Sequence, residues 1–522
     1  MENKILKEKT NIQNYPKVPI NFSPKVPQLK KIRDKTTINI RYSLISPFVF
    51  AHIYWNSKLS ELIYEIEEPI LNEEETKHKE EITSAMRNMI NFDIIIEKDK
   101  EKLLDYIDKM FKLLAIELGI NLSYESYKKI FYYLARDFMG FNEVEPVLRD
   151  YYVEDIECNG INTPVYIVHR VYRNIKTNIV FKDMDKLSSF VEKLAQKSGK
   201  YISYAKPILD GSLPDGSRIN ATYTKDITTK GPTFTIRKFT KTPWAPIQLL
   251  SFNTLSPEML AYLWLLVQYK MNILITGETS SGKTTLLNAI TFFIPPESRV
   301  VSIEDTPELM IPRENWLPSV ARSATGSGDT GEIDLFALLK SSFRQNPDYV
   351  IVGEVRGKEA FVLFQGMASG HSGISTIHAD SVDSVIKRLE TPPIELSPTL
   401  LNVLDCICIM GHTIINKEET RKLKEIVEII NVDQRGVAMT NTPFIWKPSD
   451  DKFYFKRDSK IFEKITRRFG IKTEELNLEF KRRIQLLYKL YTNKTFEFKK
   501  VQEVINEYYK KPENVLRRFG IE

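Results

Sequence analysis

Residues 277–284 read GETSSGKT, and they match the pattern GxxxxGK[ST] of a phosphate-binding loop. The preceding MNILIT is an apolar run typical of a short strand, and the following TLLNAITFFI has the apolar pattern of a helix. A glycine-rich turn between a strand and a helix directs backbone N–H groups and the positive end of the helix at an anion. This stretch therefore predicts nucleotide binding by an α/β fold.

Each position in the loop has an expected role. Gly277 and Gly282 allow the backbone to approach the phosphates, Lys283 reaches the outer phosphates, and Thr284 offers its hydroxyl to Mg²⁺. A chance Gly- and Ser-rich turn before a helix is the alternative, but strand, loop, Lys and Thr all occur in register. The predicted nucleotide-binding residues are Gly277, Glu278, Thr279, Ser280, Ser281, Gly282, Lys283, Thr284 and Thr285.

Further strands are predicted on both sides of the loop in the sequence. Residues 272–276, 299–303, 349–353 and 373–378 are apolar on both faces and are separated by helical patterns. Such strands are typical of a parallel sheet that is covered by helices on both sides. Functional groups should then gather at the carboxyl ends of the strands.

Charged and polar residues do follow these strands. Glu304 ends one strand and Glu354 ends another, and two histidines, His371 and His378, flank the last one. Phosphoryl transfer needs a metal held against the phosphates, a group that orients or deprotonates water, and positive charge. The alternative for the two glutamates is helix capping or pairing with lysines, and either histidine could be a satisfied interior residue.

Composition limits the class of protein. The chain has 522 residues, enough for about three domains, with 42% hydrophobic and 27% charged residues. The longest apolar helical run is about half of the roughly 20 residues that a membrane span needs, and we expect a cytosolic chain. Cys158, Cys406 and Cys408 have no metal-binding or disulfide spacing, so we expect no structural zinc.

The sequence divides into five predicted parts. Residues 1–36 are a flexible Pro- and Lys-rich arm, 37–150 a strand and helical subdomain, 151–242 an α+β domain, 243–425 the phosphate-loop domain, and 426–522 a basic, mainly helical region. From residue 451 onward there are 19 Lys and Arg against 11 Asp and Glu. This charge favours a solvated helical face, or docking on an acidic protein or anionic membrane, over nucleic-acid binding.

Four motifs in chain order closely resemble those of the type II secretion and type IV filament ATPases, namely GETSSGKT (Walker A), IEDTPEL (Asp box), YVIVGEVRG (Walker B) and GHSGISTIHA (His box). Upstream stretches, among them VYIVHR, SLPDGSRIN and TIRKF, resemble the archaeal branch, which includes pilus ATPases and the archaellum motor. The resemblance covers roughly residues 64–404.

The resemblance implies a RecA-like P-loop NTPase core with a parallel sheet, preceded by an α+β N-terminal domain and followed by a small helical C-terminal region. It implies a hexamer with ATP between subunits. Glu304 would activate water, Glu354 would be the Mg²⁺-associated acid, and His378 would lie near the γ-phosphate. Arg218 and Arg237 match positions where the family places arginines that face nucleotide.

The implied activity is Mg²⁺-dependent ATP hydrolysis that powers assembly or motion of a pilus-like filament or archaellum, or a related secretion system. The implied partner is a polytopic membrane platform protein, so the chain would be cytoplasmic and peripheral at the inner face of the cell membrane. Two alternatives stay open: a DNA-translocating motor of the same superfamily, and a nucleotide-gated scaffold with little hydrolysis. We expect Arg344 and Arg356 to form structural or intersubunit pairs. Residues 323–332 are predicted to form either a mobile loop near the nucleotide or an ordinary exposed connector.

Overall fold

The computed structural model describes residues 12–22, 24, 26, 27, 29, 34–89, 100–239, 243–322, 331–415, 418–456 and 458–521. The chain forms two compact units, Met1–Phe239 and Thr240–Glu522. Half of the predicted arm and residues 323–330 of the predicted loop lie outside the described residues.

The first unit is built on one mixed sheet. Its strands are β1 (Asn39–Ile45), β2 (Val49–Asn56), β3 (Glu61–Glu67), β4 (Val153–Cys158), β5 (Pro164–His169), β6 (Arg173–Val180), β7 (Ile208–Ser212), β8 (Arg218–Thr222) and β9 (Thr233–Arg237). The order is β1-β2-β3-β6-β5-β4-β9-β8-β7. Only β3 and β6 pair in parallel among these described strands. That pairing joins the predicted parts 37–150 and 151–242 in one sheet, so the boundary predicted at residue 150 does not separate two units.

Helices cover this sheet. They are α1 (Glu73–Met89), α2 (Lys100–Glu117), α3 (Tyr124–Met139), α4 (Glu145–Arg149) and α5 (Met184–Lys197). The amphipathic patterns predicted over residues 102–118 and 123–138 correspond to α2 and α3, and the Ser123 side chain caps α3 by accepting a hydrogen bond from Ser126 N. Within the arm, Ile12 and Val18 are buried against this helical layer. The described part of the arm is therefore docked.

The second unit contains the sheet that carries the phosphate loop. Its strands are β10 (Ile273–Thr276), β11 (Val300–Glu304), β12 (Trp316–Val320), β13 (Tyr349–Val352), β14 (Ser372–Ile377), β15 (Cys406–Ile415), β16 (Glu418–Val432), β17 (Ala438–Lys447) and β18 (Lys452–Phe455). The order is β12-β11-β13-β14-β10-β15-β16-β17-β18. In this spatial order, the neighbouring strands β12, β11, β13, β14, β10 and β15 pair in parallel. The neighbouring strands β15, β16, β17 and β18 pair antiparallel.

Helices pack on both faces of this sheet. They are α6 (Pro246–Ser251), α7 (Pro257–Gln268), α8 (Lys283–Thr291), α9 (Leu335–Ser342), α10 (Glu359–Ala368), α11 (Val382–Glu390), α12 (Pro398–Leu401), α13 (Lys460–Phe469), α14 (Thr473–Thr492), α15 (Phe498–Lys510) and α16 (Pro512–Phe519). Every residue of β10, β13 and β14 is buried, as expected for a parallel sheet covered on both sides. The α/β fold class with a parallel P-loop core is confirmed.

The C-terminal part differs from the prediction of a mainly helical region from residue 426. That boundary falls inside β16, and β17 and β18 extend the central sheet before the helices α13 to α16 begin. Lysines and glutamates interrupt the apolar pattern of β16, so the local sequence does not predict a buried strand. The burial comes from pairing with β15 and β17. The helices that follow share a core with α7 and α8.

Two further observations concern the chain as a whole. The cysteines Cys158, Cys406 and Cys408 are buried free thiols. Among the described residues, none of the helices combines the length and the apolar character that crossing a bilayer requires.

Candidate functional site

The phosphate loop connects β10 to α8, as predicted. Gly277 has φ +152°, and a Cβ there would lie 2.5 Å from the Met410 carbonyl oxygen, so only glycine fits. Lys283, the first residue of α8, is buried and donates to the carbonyls of Gly277 (2.9 Å) and Glu278 (2.8 Å). Burial lowers the pKa of Lys283 below its ordinary value. Its ammonium therefore lies at the loop itself, where a phosphate group would arrive.

Glu304 ends β11 and is buried, with 3% of its surface exposed. Its Oε1 accepts hydrogen bonds from the backbone N–H groups of Glu308 (2.8 Å) and Leu309 (3.0 Å). A Cβ on Gly353 would lie 3.2 Å from Glu304 Cγ, so the carboxylate lies beside the end of β13. Burial raises the pKa of Glu304 to about 7, although the two backbone hydrogen bonds act to lower it. A carboxyl group with this pKa can exchange a proton near neutral pH.

Glu354 follows β13 directly and has two different oxygen environments. Its Oε2 accepts from Arg356 Nη2 at 2.6 Å. Its Oε1 is buried and has no hydrogen-bond partner within the described part of the chain, while His378 Nε2 lies 3.9 Å away. A buried carboxylate oxygen without a partner is costly, and such an oxygen is a natural ligand for a cation. Arg356 forms the local ion pair that the sequence analysis expected.

His378 is the first residue after β14. Its Nε2 lies 3.3 Å from Thr279 Oγ1 in the phosphate loop. Desolvation, together with the nearby Lys283, lowers the pKa of His378, so the neutral imidazole is favoured. By contrast, His371 contacts the Pro347 carbonyl (3.2 Å) and the Phe343 ring, as a structural residue would. Of the two histidines, the structure places only His378 beside the loop.

Beside these groups an open cavity of about 660 Å³ lies at the carboxyl ends of β13 and β14. Glu278, Glu354, Arg356, His378 and Arg388 are among the residues that line it. The site thus combines carboxylates, guanidinium groups and an imidazole next to a loop of N–H donors. This arrangement suits a polyphosphate and its counter-ion.

The residues present also fit Mg²⁺. Thr284, in the first turn of α8, has a half-buried hydroxyl, and Glu354 offers the oxygen without a partner. Mg²⁺ in nucleotide sites takes one or two protein oxygens and completes its shell with phosphate and water. Within the described ranges no group of three or more His, Cys, Asp or Glu side chains could hold a metal by itself. The donor set therefore matches a metal that arrives with a nucleotide.

The two predicted arginines lie in the first unit, side by side on adjacent strands. Arg218 in β8 and Arg237 in β9 are register partners, and Asp155 in β4 is the register partner of Arg237 on its other side. Arg237 Nε lies 3.5 Å from Asp155 Oδ1. Like charges directly opposite each other destabilise a sheet, and here Asp155 offsets part of the repulsion between the two guanidinium groups.

Sequence reasoning did not identify Arg388 in α11. Its Nη1 donates to the backbone carbonyl of His378 at 2.8 Å. A side chain that bonds to a backbone carbonyl leaves no pattern in the sequence. The only signal in the sequence is the position of Arg388, ten residues after His378. This spacing places the cation in the last turn of the helix that follows the strand end.

A parallel sheet with a phosphate loop and acids at its neighbouring strand ends defines a P-loop nucleotide-binding protein. The chain belongs to the family of type II/IV secretion system proteins, whose match covers residues 144–425. This finding agrees with the resemblance of the four motifs to secretion and filament ATPases.

Individual relatives come from archaea and bacteria. The chain is 38% identical over 398 residues to the uncharacterized protein MJ0900 of Methanocaldococcus jannaschii, a match that covers 75% of this chain and 72% of the relative. It is 34% identical over 229 residues to the type IV secretion system protein PtlH of Bordetella pertussis, covering 40% of this chain and 67% of PtlH.

Solved structures with similarity include the Legionella pneumophila ATPase DotB, at 16% identity and a TM-score of 0.39, covering 69% of this chain and 92% of DotB. They also include the pilus retraction motor PilT with bound ADP, at 18% identity and a TM-score of 0.37, covering 65% of this chain and 90% of PilT.

Proposed function

We propose that this chain is a Mg²⁺-dependent ATP hydrolase of a type IV pilus-like filament, an archaellum, or a related type II/IV secretion machine. The observation that carries the proposal is the grouping of Lys283, Glu354 and His378 around one phosphate loop. Lys283 donates to the loop carbonyls, and His378 Nε2 lies 3.3 Å from Thr279 Oγ1 of the loop and 3.9 Å from the unpartnered Glu354 oxygen. A site that only bound nucleotide would not need the two carboxylates.

Each residue has a role in the proposed hydrolysis. The loop N–H groups, the N-terminus of α8 and Lys283 bind the phosphates and neutralise their charge. Glu304, with a pKa of about 7, takes a proton from the attacking water, and its backbone hydrogen bonds hold the carboxylate in place. His378 orients the terminal phosphate or its water. Mg²⁺, held by Thr284 and Glu354, would supply further neutralisation of the phosphate charge when bound.

The arginine pair supports a composite site. Arg218 and Arg237 lie opposite each other, Asp155 offsets part of the charge of Arg237, and guanidinium groups suit the charge that develops on a transferred phosphate. In a hexamer with nucleotide between subunits, these arginines would face ATP bound by the phosphate loop of a neighbouring subunit. Hydrolysis would then depend on the geometry of the ring.

The proposed work is mechanical. ATP turnover changes the arrangement of the subunits, and the motion passes to a polytopic membrane platform protein that assembles or moves the filament. The chain would act in the cytoplasm, peripheral to the inner face of the cell membrane, without binding nucleic acid. The excess of Lys and Arg after residue 451 favours an acidic contact surface on the partner.

The experiment compares Lys283→Ala with Lys340→Ala in the purified chain. Lys340 is an exposed cation in the last turn of α9 and serves as the matched control. We expect Mg²⁺-dependent phosphate release by the parent chain and the Lys340 variant, and none above background for the Lys283 variant. Light scattering with Mg·ATP should give the mass of six chains. Full turnover in the Lys283 variant would refute the catalytic assignment.

A further inference from the structure

The backbone that carries His378 is held by a side chain from another element. Arg388 lies in the last turn of α11, and its Nη1 donates to the His378 carbonyl oxygen at 2.8 Å. The hydrogen bond ties the end of α11 back to the end of β14. The helix thus fixes the backbone of His378, which lies just before it in the chain.

A second side chain holds the next carbonyl. Thr276, the last residue of β10, donates from its Oγ1 to the Ala379 carbonyl at 2.7 Å. Two successive peptide planes after β14 are therefore fixed, one from α11 and one from the strand that leads into the phosphate loop. Fixing the peptide planes on the carboxyl side of His378 sets the direction in which its imidazole leaves the backbone.

That direction matters because the imidazole spans two parts of the site. Its Nε2 lies 3.3 Å from Thr279 Oγ1 and 3.9 Å from Glu354 Oε1. A rotation of the His378 peptide would move the ring away from the loop or into the Glu354 carboxylate. Catalytic groups tolerate such displacements poorly, since misplacement by about 1 Å can lower a rate ~10²-fold.

We propose that Arg388 is a positioning residue, which holds the His378 backbone so that the imidazole faces the phosphate loop and Glu354. The inference rests on the proposed function, because it assigns Arg388 to the hydrolysis step at that site. Arg388 also lines the cavity, and in this proposal it acts through His378, so its loss should change kcat and leave KM within twofold. A lysine at position 388 can keep the hydrogen bond to the His378 carbonyl, because an ammonium also donates. A glutamine is shorter and carries no charge.

The test is a double-mutant cycle in the full-length chain, with ATP and Mg²⁺ as the probe. The variants are Arg388→Gln, Arg388→Lys, His378→Ala and the double variant Arg388→Gln/His378→Ala. We expect Arg388→Gln to lower kcat about tenfold with KM within twofold, as for loss of an interaction made only in the transition state. Arg388→Lys should recover most of the loss. The double variant should be no slower than His378→Ala, because the arginine has no effect without the imidazole.

Three results would overturn the proposal. They are an unchanged kcat in Arg388→Gln, losses that multiply in the double variant, and a raised KM with unchanged kcat, which would make Arg388 an ATP ligand. Wild-type turnover in His378→Ala would also overturn it. If the parent chain hydrolyses no ATP, the proposed function fails instead, so the two failures are distinguishable.

A control separates positioning from folding. Lys340→Gln removes an exposed cation from the end of another helix and should leave kcat unchanged. Thermal unfolding of Arg388→Gln should match that of the control. If Arg388→Gln does not fold, Arg388→Lys carries the test: a kcat between those of the parent and His378→Ala with unchanged KM supports the proposal, and a raised KM contradicts it.

Discussion

The sheet of the second unit has two halves, and each contains a glutamate with a buried carboxylate oxygen and a different set of partners. In the antiparallel half, Glu428 of β16 accepts hydrogen bonds from Tyr262 Oη (2.6 Å), Asn441 Nδ2 (2.7 Å) and the Lys460 backbone N–H (2.8 Å), with Ser459 adding another. In the parallel half, Glu354 has one oxygen paired with Arg356 and one with no partner in the described chain.

The difference separates a structural acid from a functional one. A buried carboxylate with all its hydrogen bonds made joins elements together, and Glu428 links β16 to α7, β17 and the start of α13. A buried carboxylate with an unmade bond lowers stability, and it persists where a ligand completes the set. The antiparallel half therefore stabilises the C-terminal helices, while the parallel half carries the site that we propose for hydrolysis.

Removing the structural glutamate should have the largest effect on folding. Glu428→Ala leaves several buried donors without an acceptor, so we expect the free energy of unfolding to fall by about 3 kcal/mol or more. Urea unfolding followed by circular dichroism measures this change. ATP turnover per folded molecule should stay within twofold of the parent. Glu503→Ala, at an exposed position of α15, should change stability by less than about 0.5 kcal/mol.

Substitution of Glu354 should have the opposite effect to that of Glu428, with a large loss of turnover and little change in stability. Glu354→Gln removes the charge that faces the cation site, and we expect kcat to fall about 10²- to 10³-fold. The free energy of unfolding should stay within about 1 kcal/mol, because the amide cannot be worse placed than an unpartnered carboxylate oxygen. Steady-state kinetics and urea unfolding on the same sample provide both numbers. A large loss of stability with normal turnover would reverse the assignment.

The pKa of Glu304, about 7 in the folded chain against an ordinary 4.5, predicts a pH dependence. The folded state holds the proton more tightly than the unfolded state, so this contribution to stability is full below pH 4.5 and is lost as pH rises to 7. At ~1.4 kcal/mol for each pKa unit, the loss is about 3 kcal/mol.

Glu304→Gln should remove that loss, since the amide mimics the protonated acid. The variant should therefore gain stability relative to the parent between pH 4.5 and 7. Urea unfolding across this range checks the slope. The parent's kcat should rise with pH around 7, because a general base must be ionised. If the difference in stability between Glu304→Gln and the parent did not change with pH, the raised pKa of Glu304 would be contradicted.

The smallest expected effect concerns the arginine pair of the first unit. Arg237→Gln should lower turnover about tenfold, as for loss of one charge that stabilises the transition state, and should change stability by less than ~1 kcal/mol, because the relieved repulsion from Arg218 offsets the lost ion pair with Asp155. Kinetics and thermal unfolding measure these changes. Lys225→Gln, at an exposed position of the same unit, should change neither.

Much of the parallel half could be predicted from the sequence. Its strands are buried on both faces, so they appear as uninterrupted apolar runs, and Glu304, Glu354 and His378 stand out because they end or follow such runs. The order of the motifs along the chain also identified the family. The close approach of His378 to Thr279, 99 residues away, depends on the pairing of β10 with β14 and was not specified by either segment.

The antiparallel half could not be predicted in the same way. Lysines and glutamates interrupt the apolar residues of strand β16, so it lacks the regular alternation of a half-buried strand, although its neighbours β15 and β17 are adjacent in the chain. Glu428 looks like any surface acid in the sequence, because its partners in α7 and at the start of α13 lie more than 30 residues away. Arg388 is similar, since its partner is a backbone carbonyl that every residue possesses.

The most direct test of the account is the rate of phosphate release by the full-length chain with Mg·ATP, measured beside Glu354→Gln and Glu428→Ala at equal concentrations of folded protein. The account predicts turnover in the parent and in Glu428→Ala, and a loss of about 10²-fold or more in Glu354→Gln. Equal rates in Glu354→Gln and the parent would contradict the claim that the carboxyl edge of the parallel half is the hydrolytic site.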